Sequence, residues 1–127
     1  MRILIADDEA PARQRLAQLL QAVPDCRVAG MASDGEGTLQ MALAPQPDII
    51  LLDVSMPKLD GLSVAEMLFH GYRGPDVILV TAYPEHAIRA CNLGVAGYLL
   101  KPVRSAELVS MIERVRVRRL ARQASPA

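Results

Sequence analysis

The chain has 127 residues, a formal net charge of zero and 51% hydrophobic residues, yet only three Tyr and one Phe supply all its aromatic side chains. That describes one domain with an aliphatic core, and the lack of a long apolar run or a paired-cysteine pattern excludes a membrane-spanning helix, a disulfide scaffold and a zinc finger. The zero hides a polarity: residues 114–127 carry five arginines and no acid, so the first 113 residues hold nine basic against 14 acidic groups.

The chain enters its first strand, residues 2–6, at once, which leaves no room for a signal peptide, so a cytoplasmic protein is expected. Ile3-Leu4-Ile5-Ala6 lacks polar alternation, as a parallel strand covered on both faces does, and runs straight into Asp7-Asp8-Glu9. Pro11 suits a first helical turn, and Ala12, Leu16, Leu19, Leu20 and Val23 recur at helical spacing. Residues 26–32 read as a second strand. Ser33-Asp34-Gly35-Glu36 reads as a capping box for a helix through Ala44, ended by Pro45 and Pro47.

The clearest strand is 48–53, where Ile49-Ile50-Leu51-Leu52 runs into Asp53. After the loop Val54–Asp60, Asp60 can cap a helix from Gly61 to about His70, ended by Gly71 and Gly74-Pro75. Val77–Thr81 is a fourth strand, Pro84 opens a short helix to about Leu93, and Gly97–Leu100 is a fifth strand. Ser105 then caps a last helix with Leu108, Met111, Ile112 and Val115 inward, and Gln123–Ala127 is expected to fray. Five strands alternating with five helices predict an α/β fold with a doubly wound, five-stranded parallel sheet. Cys26 and Cys91 read as reduced packing residues.

In such a fold the strand tips share one edge, where open α/β sheets place their ligand sites. The tips carry Asp7 and Asp8, Asp53, Thr81 and Lys101-Pro102. Two like charges about 4 Å apart cost roughly 4 kcal/mol at an effective dielectric near 20, so the acids call for a cation. Asp7 and Asp8 offer hard oxygen ligands that suit Mg²⁺, and Asp53 can be both ligand and carboxylate nucleophile. Thr81 offers a hydroxyl donor, and Lys101 a compact positive charge for a phosphoryl oxygen. Taken singly, Asp7-Asp8 is an acid pair at a helix start, Thr81 a strand-end threonine and Lys101-Pro102 a loop. Together they point to phosphoryl transfer.

With Met56-Pro57, Asp60-Gly61, Thr81-Ala82 and Tyr98-Leu99-Leu100-Lys101-Pro102 added, the chain resembles a receiver domain of a two-component response regulator, with the flavodoxin-like receiver fold. The resemblance implies that Asp53 takes phosphate from a histidine kinase or phosphotransfer protein, with Mg²⁺ near Asp7, Asp8, Asp53 and the Ser55 carbonyl. It implies a cis bond before Pro102, and makes Thr81 and Tyr98 a coupled switch, Tyr98 turning inward as Thr81 moves toward phosphate. The face of the fourth helix, fifth strand and fifth helix would then change and form a homodimer. Val109, Met111, Arg89 and Arg116 are placed on or near that face.

Asp7-Asp8-Glu9-Ala10-Pro11-Ala12-Arg13, Thr81-Ala82-Tyr83 and Lys101-Pro102-Val103 resemble LytR/AlgR-type regulators, which join a receiver to a DNA-binding domain; Cys91 departs from the usual phenylalanine. Residues 1–118 are then the receiver, and 119–127 a solvated basic helix end and linker. DNA is then expected to be contacted only through an absent output domain. The alternative is a stand-alone receiver acting through protein contacts only.

Competing functions on this fold meet specific objections. An aspartyl phosphatase of the haloacid-dehalogenase kind needs an acid two residues after its nucleophile, where Ser55 stands. A flavin carrier needs a phosphate loop where Asp7-Asp8-Glu9 would repel phosphate, and a degenerate receiver would lack one of the phosphorylation residues. The domain is expected not to be an enzyme, but to lose phosphate slowly by itself, because Ser55 and Tyr83 offer no acid or amide to orient water. His70 and His86 read as surface residues, His86 being the better interaction candidate.

Overall fold

The computed structural model describes residues 1–43, 46–56, 60–68, 74–86, 89 and 94–124. Five strands, β1 (Arg2–Ala6), β2 (Arg27–Ala32), β3 (Ile49–Asp53), β4 (Asp76–Thr81) and β5 (Gly97–Leu100), form one sheet in the order β2-β1-β3-β4-β5. All neighbouring pairs are parallel. The order reverses between β1 and β3, so the crevice outside their C-terminal ends is the topological switch point of the sheet.

The missing polar alternation has a direct cause. Successive side chains of a strand point to opposite faces, and here both faces are covered. Ile3, Ile5, Ile49, Leu51, Ile78, Val80 and Leu99 pack on one side with Leu16 and Leu20 of α1 (Ala10–Leu20) and with Leu108, Ile112 and Val115. Those last three belong to the C-terminal helix, Ser105–Ala124. Leu4, Ala6, Ile50, Leu52, Val77 and Leu79 face the other way, against α2 (Gly35–Leu43) and α3 (Gly61–Leu68). Among the described residues no helix is long and apolar enough to cross a membrane.

Local signals set most element starts. Pro11 lies in the first turn of α1. Asp60 caps α3, its Oδ1 accepting the Ser63 N–H at 2.8 Å. At α2 the cap is Asp34 rather than Ser33: Asp34 Oδ1 accepts the Gly37 N–H at 2.7 Å, the N-cap to N3 geometry. Ser105 is the first helical residue rather than the cap, because the Arg104 carbonyl takes the first bond, from Leu108 N–H at 3.0 Å. The helix expected from Pro84 to Leu93 falls largely outside the described residues, as do Cys91 and His70; His86 and Arg89 are helical.

The C-terminal helix differs most from expectation. Its basic end, expected over 119–127, is helical through Ala124. Arg119 and Arg122 are half-buried and paired rather than simply solvated: Arg119 Nη1 donates to Asp76 Oδ2 and to the Asp48 carbonyl, both at 3.0 Å, and Arg122 Nη2 donates to Asp76 Oδ2 at 2.5 Å. Arg116 turns away from β5 toward the turn before β2, donating to the Pro24 carbonyl at 2.5 Å. It is therefore not on the face where the sequence placed it, because helical rotation carries it to the β2 side. Arg118 occupies the β5 side instead, donating to the Ala96 carbonyl at 3.3 Å. Free Cys26 is half-buried beside Arg116.

Candidate functional site

Parallel strands deliver their C-terminal ends to one edge, so β1, β3, β4 and β5 bring Asp7, Asp53, Thr81 and Lys101 together there. Asp7 is 1% exposed. Its Oδ1 accepts the Glu9 N–H at 2.9 Å, which leaves Oδ2 to accept a hydrogen bond from Lys101 Nζ at 2.9 Å. Asp53, 5% exposed, ends β3 with Oδ1 at 3.5 Å from the same ammonium. Asp8 is exposed at the mouth. One carboxylate oxygen from each of Asp7, Asp8 and Asp53 lies within 4.8 Å of the others.

The electrostatics follow from that packing. Burial, reinforced by the charge of Asp7, pushes the Asp53 carboxyl up to about 6, while Lys101 and a hydrogen bond from the Ser55 backbone pull against that rise. Burial opposes the charge on Lys101, but its hydrogen bond to Asp7 and the nearby charges of Asp53 and Asp7 outweigh it and raise its pKa. Ionised, three carboxylates and one ammonium leave two negative charges. An all-oxygen donor set with that surplus fits a hard divalent cation.

Thr81 is buried, and its hydroxyl accepts the Tyr83 N–H at 3.0 Å. Tyr98 lies two residues before Leu100, the register partner of Thr81, and is 39% exposed, turned outward. The Lys101-Pro102 bond is cis, and the Lys101 N–H donates to the Thr81 carbonyl at 2.8 Å, tying the two tips together. Ser55 is exposed just beyond Asp53.

Three positioning features had no assigned role in the sequence. Arg13 Nη1 donates to the Asp7 carbonyl at 2.7 Å, and Arg15 Nη2 to the Val103 carbonyl at 2.8 Å. Two arginines on the helix that starts beside an acidic tip are the available signal, but their carbonyl partners emerge only on folding. Gly61 is the third: a Cβ there would stand 2.1 Å from the Asp53 carbonyl oxygen and 2.7 Å from Val54 Cα. The Gly61 N–H donates to the Val54 carbonyl at 2.7 Å, which holds α3 against the end of β3.

A 2-1-3-4-5 sheet with acids at the switch point and a lysine across from them defines a receiver-type α/β domain. The model of the response regulator receiver domain matches residues 3–113, and the chain belongs to that family. It is 44% identical to the positive alginate biosynthesis regulatory protein of Pseudomonas aeruginosa, over 90% of this chain and 46% of that protein. To the transcriptional regulatory protein BtsR of Escherichia coli it is 34% identical, over 94% of this chain and 49% of that protein. The chain thus spans about half the length of these curated relatives. The likeness to the alginate regulator agrees with the LytR/AlgR resemblance.

Among solved structures, the response regulatory domain of protein MrkE from Klebsiella pneumoniae superposes with a TM-score of 0.86 at 28% identity, covering 98% of this chain and all of that one. The receiver domain of AraT, a response regulator from Geobacillus stearothermophilus, gives 0.85 at 31% identity, covering 96% of this chain and 97% of that one.

Proposed function

We propose that this domain accepts a phosphoryl group on Asp53 from a histidine kinase or phosphotransfer protein and uses it to switch an output. The observation that carries the reading is the buried Asp53 carboxylate, with a pKa of about 6, facing Lys101 beside Asp7 and Asp8. At neutral pH Asp53 is mostly ionised, yet burial keeps it basic, which favours attack on phosphorus. The new bond joins an Asp53 oxygen to phosphorus, and the donor's phosphorus–nitrogen bond breaks. Mg²⁺ held by Asp7, Asp8, Asp53 and the Ser55 carbonyl would neutralise the surplus negative charge and offset that of the phosphoryl oxygens.

Lys101 would pair with a phosphoryl oxygen, and the Thr81 hydroxyl would turn from the Tyr83 carbonyl, to which it donates at 3.5 Å, to donate to another. Tyr98, now outward, would follow inward. Moving such a switch from about 1% to 99% active takes about 5.5 kcal/mol of differential stabilisation, within reach of phosphate and dimer contacts combined. Tyr98 and Leu100 are exposed on β5, and Val117 on the C-terminal helix is 59% exposed, which supports a second copy docking at this edge. Relatives named as regulatory proteins and about twice as long support a DNA-binding output in the part of such proteins beyond this domain, and the location proposed for its action is the cytoplasm. Domain and output would then meet beyond the helix that ends at Ala124.

Mass measured after incubation with acetyl phosphate and Mg²⁺ tests the reading: wild type should gain one phosphoryl group and Asp53→Ala none. Equal labelling of the two would sink it. Decay of the label should be slow and should quicken in Tyr83→Ala, since Tyr83 would shield the acyl phosphate from water.

A further inference from the structure

The loop that carries Lys101 is bordered by a pocket. After the Lys101 N–H bonds Thr81, Pro102 has no N–H to give, and the chain crosses a space of about 330 Å³ lined by Ala12, Arg15, Leu16, Val80, Pro102 and Val103. Val103 buries its side chain in the core. Its carbonyl is held by Arg15, which reaches across from α1 and donates through Nη2 at 2.8 Å. Two residues earlier in α1, Arg13 holds the Asp7 carbonyl at 2.7 Å. The same helix thus grips the backbone beside both partners of the Lys101–Asp7 ion pair.

We propose that Arg15 is a positioning residue for Lys101: it braces the Pro102–Val103 segment across the pocket, so that the Lys101 ammonium stays over Asp7 and Asp53. This rests on the phosphoacceptor reading above. The Arg15 hydrogen bond spans this pocket, and it fixes the loop from the α1 side while buried Val103 and the Lys101–Thr81 bond fix it from the sheet. Among the described residues Arg15 forms no ion pair with Asp7 or Asp53, and its hydrogen bond goes to the loop backbone.

The test is phosphoryl uptake from acetyl phosphate with Mg²⁺, followed by mass in Arg15→Met, Arg15→Lys, Lys101→Met and the Arg15→Met/Lys101→Met double variant. Arg15→Met should slow uptake by about tenfold, the scale on which small displacements of a charge-stabilising group act. Arg15→Lys, which keeps a donor, should recover part of that loss. In the Lys101→Met background, removing Arg15 should change the rate by less than about twofold, because the group it positions is gone. Circular dichroism and thermal midpoint establish that each variant is folded. Unchanged uptake in Arg15→Met, or an equal loss with and without Lys101, overturns the proposal. If wild type itself takes no phosphate on Asp53, the underlying function fails instead, an outcome distinct from either.

Discussion

Asp53 shows how one buried carboxylate sets the energetics of the site. Its pKa of about 6 against an ordinary 3.8 means that the folded, metal-free protein holds this proton more tightly than the unfolded chain does. Protonation therefore favours folding: the benefit is complete below about pH 3.8 and is lost as pH rises to about 6. Above that window the ionised carboxylate is a constant burden of about 2–3 kcal/mol. Asp53→Asn should accordingly stabilise the metal-free protein by about 2 kcal/mol at pH 7.5, with the gain vanishing near pH 4. Urea unfolding at both pH values reads this directly; equal gains at both would mean that charge is not the cause. Mg²⁺ should reduce the gain at pH 7.5, because it relieves the same repulsion.

At the scale of elements, the β3–α3 junction carries a close backbone approach. Gly61 packs its Cα against the Asp53 carbonyl, and nothing flexible is there to yield to a methyl group. Gly61→Ala must push α3 away from β3 or tilt the peptide that ends in Asp53. Overpacking of this kind costs about 1–3 kcal/mol, which a lowered urea midpoint would show. A midpoint within experimental error of wild type would refute the contact. The element starts were readable where the signal is local, as with Pro11 in α1 and Asp60 before α3. They slipped by one residue at α2 and the C-terminal helix, since Ser33 and Asp34 are both competent caps and only the final backbone path selects between them.

At the scale of the whole molecule, the C-terminal helix ties the far end of the sheet together. Arg119 and Arg122 meet Asp76 at the start of β4, while Arg119 also pairs with Asp48, whose Oδ2 accepts the Arg2 N–H at 2.7 Å. β3 and β4 run from this cluster to Asp53 and Thr81, so the helix end is fixed to two of the four strands that carry the proposed site. Asp76 is 8% exposed. Asp76→Asn should cost about 1–3 kcal/mol and expose the helix end, since two arginines lose a charged acceptor. Faster tryptic cleavage at Arg119 and Arg122 would register the loosening. Cleavage at the wild-type rate would show that the helix end does not depend on the charge of Asp76.

The sequence by itself determined the parallel sheet and the convergence of Asp7, Asp8, Asp53, Thr81 and Lys101 on one edge. Continuous apolar runs demand cover on both faces, and parallel strands put every C-terminal tip on the same side. Only the tertiary structure decided which arginines serve the body. Arg15, Arg116, Arg119 and Arg122 bond to carbonyls and carboxylates from distant parts of the chain, and a helical basic run looks the same in sequence whether its groups meet water or an acid. The raised pKa of Asp53 also belongs to the fold, because desolvation depends on what covers a residue rather than on its neighbours in sequence.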